Sequence, residues 1–425
     1  MRWQVRPSGI AGEAAVPGDK SISHRALMLA ALADGTSSIR GLGDGEDVAS
    51  TVACLRALRV RIERSGDQVC VQGGALRPPS APLDAGNSGT TMRLLSGILA
   101  GQPFDSVVTG DASLCRRPMG RIARPLMEMG TQVDTEDGHA PIRIRGGRLR
   151  AIRYRCDPPS AQVKSCVLLA GLFAEGSTSV WETVATRDHT ERLMRATGIA
   201  VDAKEQTVAV HGPARPRAFD LCVPGDLSSA AFLLAGAAIA GVGDVTVRDV
   251  GLNPTRTGFL QVLRRMGCDL ETSEEREEGG EPVGSIRVRP APLTGVEIGA
   301  DEAATMLDEL PLVALLGTVA AGETRVTGAG ELRVKESDRI ATVAAELGRL
   351  GAAIEEQPDG FRVRGSRLQG TRVQSHGDHR VAMMLGLAGL IAAGETIVEG
   401  AEAAAVSFPC FGSTMRGLGG MIHDA

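Results

Sequence analysis

The stretch Pro17-Gly18-Asp19-Lys20-Ser21-Ile22-Ser23-His24-Arg25 runs directly into Ala26-Leu27-Met28-Leu29-Ala30-Ala31-Leu32. A turn-forming, polar segment followed by apolar residues in helical spacing predicts a helix N-terminus. Unsatisfied N–H groups and the positive end of the helix dipole favour an anion there. Lys20 adds a point charge, Ser21 a hydroxyl and Arg25 a planar fork. Taken alone, the same residues also describe an ordinary capped helix with solvated cations. What decides between the two is repetition: the chain presents the arrangement five more times, with different polar residues each time.

The further openings are Asp84-Ala85-Gly86-Asn87-Ser88-Gly89-Thr90-Thr91, Pro158-Pro159-Ser160-Ala161-Gln162-Val163-Lys164-Ser165, Pro224-Gly225-Asp226-Leu227-Ser228-Ser229, Met306-Leu307-Asp308-Glu309-Leu310-Pro311 and Ser375-His376-Gly377-Asp378-His379-Arg380. They recur at roughly 65–80 residues, too long for a solenoid and suited to a β-α-β-α-β-β unit. Each opening leads into an Ala/Leu/Gly-rich helix that is apolar all round and is therefore predicted to be buried. A β-branched strand, an amphipathic helix and a further strand follow. Six units predict an α/β protein of two similar domains, 17–223 and 1–16 with 224–425. Each has three units around a pseudo-threefold axis, and the active site is expected in the cleft between them. Residues 2–16 are expected to form one strand pairing with the C-terminal half. The acidic run Ser273-Glu274-Glu275-Arg276-Glu277-Glu278-Gly279-Gly280 reads as a solvated hairpin tip.

At 425 residues with 43% apolar content the chain has ample material for two cores. A net charge of −5 and 3% aromatic residues argue against nucleic-acid binding, so cationic sites are local. Only four of the 46 basic residues are lysines, at Lys20, Lys164, Lys204 and Lys335, and three of these lie in or beside the polar loops. A lysine kept in an arginine-rich chain suits a place that needs a compact, deprotonatable cation. Eight scattered cysteines without a CxxC pair predict free thiols in a reducing compartment. The N-terminus lacks a signal-peptide core, and runs such as Ala230 to Ala240 are too short to span a bilayer, so the expectation is a cytoplasmic protein without a membrane partner.

Read in order, the openings, together with Gly110-Asp111-Ala112-Ser113-Leu114, Arg117-Pro118-Met119 and Leu332-Arg333-Val334-Lys335-Glu336-Ser337-Asp338-Arg339, resemble the 5-enolpyruvylshikimate-3-phosphate synthase family. The resemblance covers nearly the whole chain. It implies an inside-out α/β barrel fold and transfer of the enolpyruvyl group of phosphoenolpyruvate to the 5-hydroxyl of shikimate 3-phosphate. It also implies action on small molecules without metal or organic cofactor, and because nothing in the sequence marks an interface a monomer is expected. By resemblance Lys20, Ser21, Arg25, Ser160, Ala161, Gln162, Arg187, Asp308 and Lys335 hold shikimate 3-phosphate. Lys20, Asn87, Gly89, Thr90, Arg117, Gln162, Arg339 and Arg380 hold phosphoenolpyruvate. Asp308, Glu336 and Lys20 are the candidate catalytic groups.

The residue types suit the chemistry, because two phosphates and two carboxylates repel one another unless cations surround them. Charge runs such as Lys335-Glu336-Ser337-Asp338-Arg339 are more often solvated helix starts, and His24, His376 and His379 are assigned structural roles. Cys115 near Arg117 invites comparison with the UDP-N-acetylglucosamine enolpyruvyl transferases, which use a loop cysteine, but the spacing differs. Val406 stands where some members of the shikimate family carry a lysine before the late Phe408-Pro409. A phosphometabolite-binding protein without catalysis would need neither Asp308 nor Glu336. The glycine at Gly89 predicts inhibition by glyphosate, since a side chain there would enter the phosphoenolpyruvate pocket.

Overall fold

A computed structural model describes residues 1–425. The chain forms six sheets of one pattern, an α/β fold with mixed sheets. In the second, Leu83–Asp84 runs parallel to Asp105–Thr109, the helix Gly89–Ala100 making the crossover. The helix Gly120–Glu128 follows, and the antiparallel pair Gln132–Glu136 and His139–Arg145 closes the unit. Register follows the two-residue period: Val108 pairs with Ile142 and Val133 with Ile144, all four buried, while Asp134 opposite Arg143 faces water.

Clustering of the chain gives two compact units, Gly18–Val223 with Glu277–Glu281, and Met1–Pro17 with Pro224–Arg276 and Pro282–Ala425. The N-terminal unit buries the helices Lys20–Leu32, Gly89–Ala100 and Ala161–Gly171. Small residues let them approach closely: a Cβ on Gly97 would lie 2.2 Å from the Cys166 carbonyl oxygen on the neighbouring helix. The C-terminal unit buries Leu227–Ala240, Leu310–Gly317 and His379–Ile391. Its core holds Trp3, Phe232 and Phe408 around Phe411, with ring centroids 5.4, 6.1 and 5.7 Å from that ring. Five of the six buried helices start at an Asp or Ser whose side chain accepts from the first turn, at Asp19, Ser88, Ser160, Asp226 and Asp378. The sixth has Pro311 in its first turn.

Two sequence-based expectations need correction. Residues 2–16 form two strands in two sheets of the C-terminal unit. Arg2–Arg6 lies between Thr396–Glu399 and Met421–Asp424, and Ile10–Ala14 pairs with Gly241–Gly251. Pro7, Ser8 and Gly9 separate the two strands. The hairpin Asp269–Glu278 and Glu281–Arg289 does not end in a wholly solvated tip. Glu281 is buried, with Oε1 2.8 Å from His189 Nδ1, and Arg192 Nη1 donates to the Gly280 carbonyl at 2.9 Å. A carboxylate beside those donors is better placed there than in a flexible loop.

Candidate active site

The first cluster lies in the N-terminal unit, where the three buried helices begin. Asp19 caps the first, accepting from Ile22 N at 2.8 Å, and Lys20 Nζ lies 3.1 Å from Asp47 Oδ2. One turn on, Arg25 is 3% exposed and all three of its nitrogens donate. Nε bonds Thr190 Oγ1 at 2.6 Å, Nη1 the Ser21 carbonyl at 2.8 Å and Nη2 Ser165 Oγ at 2.8 Å. Burial pushes its pKa down to about 10, opposed by Glu191 and Asp19, with the nearby Arg187 adding to the depression. It is a cation at neutral pH.

At the second helix, Arg117 Nη2 donates to Asn87 Oδ1 at 2.5 Å, and Asn87 Nδ2 donates to Asp111 Oδ2 at 2.6 Å. Arg93 Nη1 donates to Gln162 Oε1 at 2.7 Å, and Gln162 Nε2 to Thr90 Oγ1 at 3.0 Å. The second and third helices are thus joined across their first turns. Gly89 sits against both guanidiniums: a Cβ there would lie 2.7 Å from Arg93 Nη1 and 3.5 Å from Arg117 Nη1. Ser160 caps the third helix, with Ala161 its first residue. Beneath these side chains runs a buried polar chain, His24 Nδ1 to Thr51 Oγ1 to Thr91 Oγ1, each contact 2.6 Å, and Thr91 Oγ1 to Ser88 Oγ at 2.7 Å. It locks the first two helix starts together.

The second cluster lies in the C-terminal unit and centres on Arg339, which is 1% exposed. Its Nε lies 2.8 Å from Asp378 Oδ2, its Nη1 3.2 Å from Asp308 Oδ1 and its Nη2 2.6 Å from Glu336 Oε2. Burial opposes its charge, but the three carboxylates outweigh that and raise its pKa above the ordinary arginine value. Burial likewise opposes the Asp378 carboxylate, and Arg339 holds its pKa below the usual value. Arg380 Nε approaches Asp308 Oδ1 at 3.6 Å. Lys335 Nζ lies 2.9 Å from Glu331 Oε1. Of the C-terminal residues singled out in the sequence, Asp308, Glu336, Arg339 and Arg380 are therefore drawn together.

Arg93, bonded to Gln162, belongs to the first cluster and Asp378, paired with Arg339, to the second, without a signal that singles them out in the sequence. Arg93 follows Gly89 by four positions, the spacing that puts two helical residues on one face. Asp378 precedes His379 and Arg380 as a helix cap, but its pairing with a residue 39 positions away leaves no local mark.

These geometries can be set beside known proteins. The pattern of the EPSP synthase (3-phosphoshikimate 1-carboxyvinyltransferase) family matches residues 5–415. The chain belongs to that family. A 3-phosphoshikimate 1-carboxyvinyltransferase of Geobacillus kaustophilus is 50% identical over 98% of this chain and 100% of its own length. One from Gloeobacter violaceus is 53% identical over 95% of each chain. The solved EPSP synthase of Acinetobacter baumannii superposes with a TM-score of 0.90 at 43% identity, covering 99% of both chains. Membership makes the chain an enzyme of aromatic biosynthesis that moves the enolpyruvyl group of phosphoenolpyruvate to shikimate 3-phosphate. It also leaves behind the UDP-sugar transferase reading that Cys115 had raised.

Proposed function

We propose that the two clusters divide the work of this transfer, the N-terminal residues chiefly binding anions and the C-terminal carboxylates moving protons. The observation that carries the reading is Arg339, whose guanidinium contacts both Asp308 and Glu336. Two carboxylates on one buried cation are oriented for acid-base work in a way that solvated side chains are not.

In this reading Arg25 and Arg187, with Lys20, Ser21, Ser160, Ala161, Gln162, Asp308 and Lys335, hold shikimate 3-phosphate. Lys20, Asn87, Gly89, Thr90, Arg117, Gln162, Arg339 and Arg380 hold phosphoenolpyruvate. The 5-hydroxyl oxygen forms a bond to the carbon that carries the phosphate ester, and Asp308 takes the hydroxyl proton. The methylene carbon gains a proton from Glu336 or Lys20. The carbon–oxygen bond to phosphate then breaks, that proton is removed again and the enol ether forms. Cations around the departing phosphate offset its charge.

The same reading groups the three sheets of each unit around a pseudo-threefold axis, as an inside-out barrel. It has the enzyme act as a monomer in the cytoplasm, where eight unpaired cysteines fit a reducing medium.

The test is phosphate release from shikimate 3-phosphate and phosphoenolpyruvate in metal-free buffer. The wild type is expected to turn over, and Asp308→Ala and Glu336→Ala to lose roughly 10²- to 10⁴-fold in rate. Retained turnover in both variants would overturn the acid-base assignment, and ligand binding without phosphate release in the wild type would mark a binding protein.

A further inference from the structure

The fourth opening, Pro224-Gly225-Asp226-Leu227-Ser228-Ser229, supplies no residue to the mechanism above, yet a buried charge cluster sits on its first turn. Asp226 caps the helix Leu227–Ala240, accepting from Ser228 N at 2.8 Å. The Ser228 hydroxyl accepts from Arg256 Nη2 and donates to Glu309 Oε1. Arg256 Nη2 also lies 3.7 Å from Asp226 Oδ1 and 3.9 Å from Glu309 Oε1.

Glu309 is the unusual member. It occupies the cap position of the helix Leu310–Gly317, but its side chain makes no capping bond, unlike the Asp or Ser before the other five buried helices. The carboxylate bonds Ser228 instead, and its Oε2 is buried without a hydrogen-bond partner. A carboxylate held in this way is costly unless its charge serves a cation. Besides Arg256, that cation is Arg380, whose Nη1 lies 4.0 Å from the same Oε1. Arg380 is 4% exposed, and its Nε, 3.6 Å from Asp308 Oδ1, is buried without a hydrogen-bond partner. Both distances exceed a hydrogen bond, so two carboxylates hold this guanidinium by charge while neither nitrogen commits its donor to them. Ser228, Glu309 and Arg380 stand at the starts of the three buried helices of the C-terminal unit, which the relay ties together.

We propose that Glu309 is a positioning residue that fixes Arg380 for phosphoenolpyruvate, and that Ser228 of the fourth opening fixes Glu309 in turn. This rests on the assignment of Arg380 to phosphoenolpyruvate. Charge and position make opposite predictions here. Removing a carboxylate near an anion site raises the local positive potential and tightens anion binding, whereas removing a positioning group misaligns Arg380 and weakens it.

The test uses the full-length enzyme with Glu309→Gln, which keeps the shape and an acceptor for Ser228. Ser228→Ala leaves every charge in place and decides the question should Glu309→Gln not fold. KM for phosphoenolpyruvate and calorimetric Kd for shikimate 3-phosphate are measured for the wild type, both variants, Arg380→Gln and the pair Glu309→Gln/Arg380→Gln. Loss of one aligned charge-assisted contact predicts a rise in KM of roughly tenfold in Glu309→Gln and about threefold in Ser228→Ala, with Kd for shikimate 3-phosphate within about twofold. Arg380→Gln is expected to cost much less in Glu309→Gln than in the wild type, because both changes remove one interaction. With KM raised in Arg380→Gln, the role of Glu309 alone is overturned by a fall in KM, an unchanged KM in both variants, a parallel rise in both constants, or full additivity with Arg380→Gln. An unchanged KM in Arg380→Gln would overturn the assignment of Arg380 and, with it, the role of Glu309.

Discussion

Arg339 and Asp378 form a two-point pair, Nε to Oδ2 at 2.8 Å and Nη2 to Oδ1 at 3.4 Å, with side chains 1% and 0% exposed. Asp378 also caps its own helix, accepting from Arg380 N at 2.9 Å, and accepts from Ser337 Oγ at 3.1 Å. It thus fixes the cation on which Asp308 and Glu336 converge. Asp378→Ala is expected to destabilise the protein by about 3 to 5 kcal/mol, since it leaves a buried guanidinium one carboxylate short. Urea unfolding measures this, with Glu13→Ala at the exposed pair Glu13–Arg248 as a control expected to cost far less. Equal costs at the two sites would contradict the role given to Asp378.

His24 supplies a pH dependence. Burial, then Lys20 and Arg25, hold its pKa well below the ordinary 6.5, against an opposing effect of Asp19. Below 6.5 the unfolded chain therefore binds a proton that the folded chain refuses. Stability from this residue is present above 6.5 and is lost as the pH falls, by up to about 1.4 kcal/mol per pH unit. Thermal unfolding between pH 7.5 and 5 should show the slope, and His24→Asn should flatten it relative to the wild type.

At Gly89 the added methyl of Gly89→Ala would press on Arg93 Nη1, which is already bonded to Gln162. Arg93 gives way, the bond to Gln162 weakens, and Arg117 Nη1 is crowded at 3.5 Å. The expected outcome is a rise in KM for phosphoenolpyruvate of roughly tenfold, from the loss of one charge-assisted contact, together with weaker glyphosate inhibition. Inhibition kinetics of the two proteins check it. Unchanged constants for both ligands would place the methyl outside the pocket.

Cys115 Sγ lies 3.4 Å from the Gly110 carbonyl oxygen, in the turn beside the short helix Ala112–Cys115. It is read as a packing residue. Cys115→Ser should keep phosphate release within about threefold, whereas a thiol acting as a catalytic acid would cost about 10²- to 10⁴-fold.

Much of the architecture is legible because the unit repeats. The six polar openings and the all-round apolar helices after them depend on residues close in sequence, and five of the six helix caps are set by the Asp or Ser immediately before the helix. The 2–16 segment is less legible, because the choice between one strand and two depends on strands near residues 241 and 396. The same limit hid Glu281: in an acidic, Gly-rich run nothing local reveals a histidine 92 residues away.

The sequence by itself determined the repeat, the burial of the first helix in each unit and the family resemblance, because caps, helical periods and motif spacing are written in consecutive residues. Only the tertiary structure decided which charges meet. Asp308, Glu336 and Asp378 converge on Arg339, and Glu182 and Glu191 on Lys164, each partner up to 39 residues from the cation it meets. Pairing of buried ions depends on distances of a few ångströms in a low-dielectric interior, and such distances are set by how helices and sheets pack.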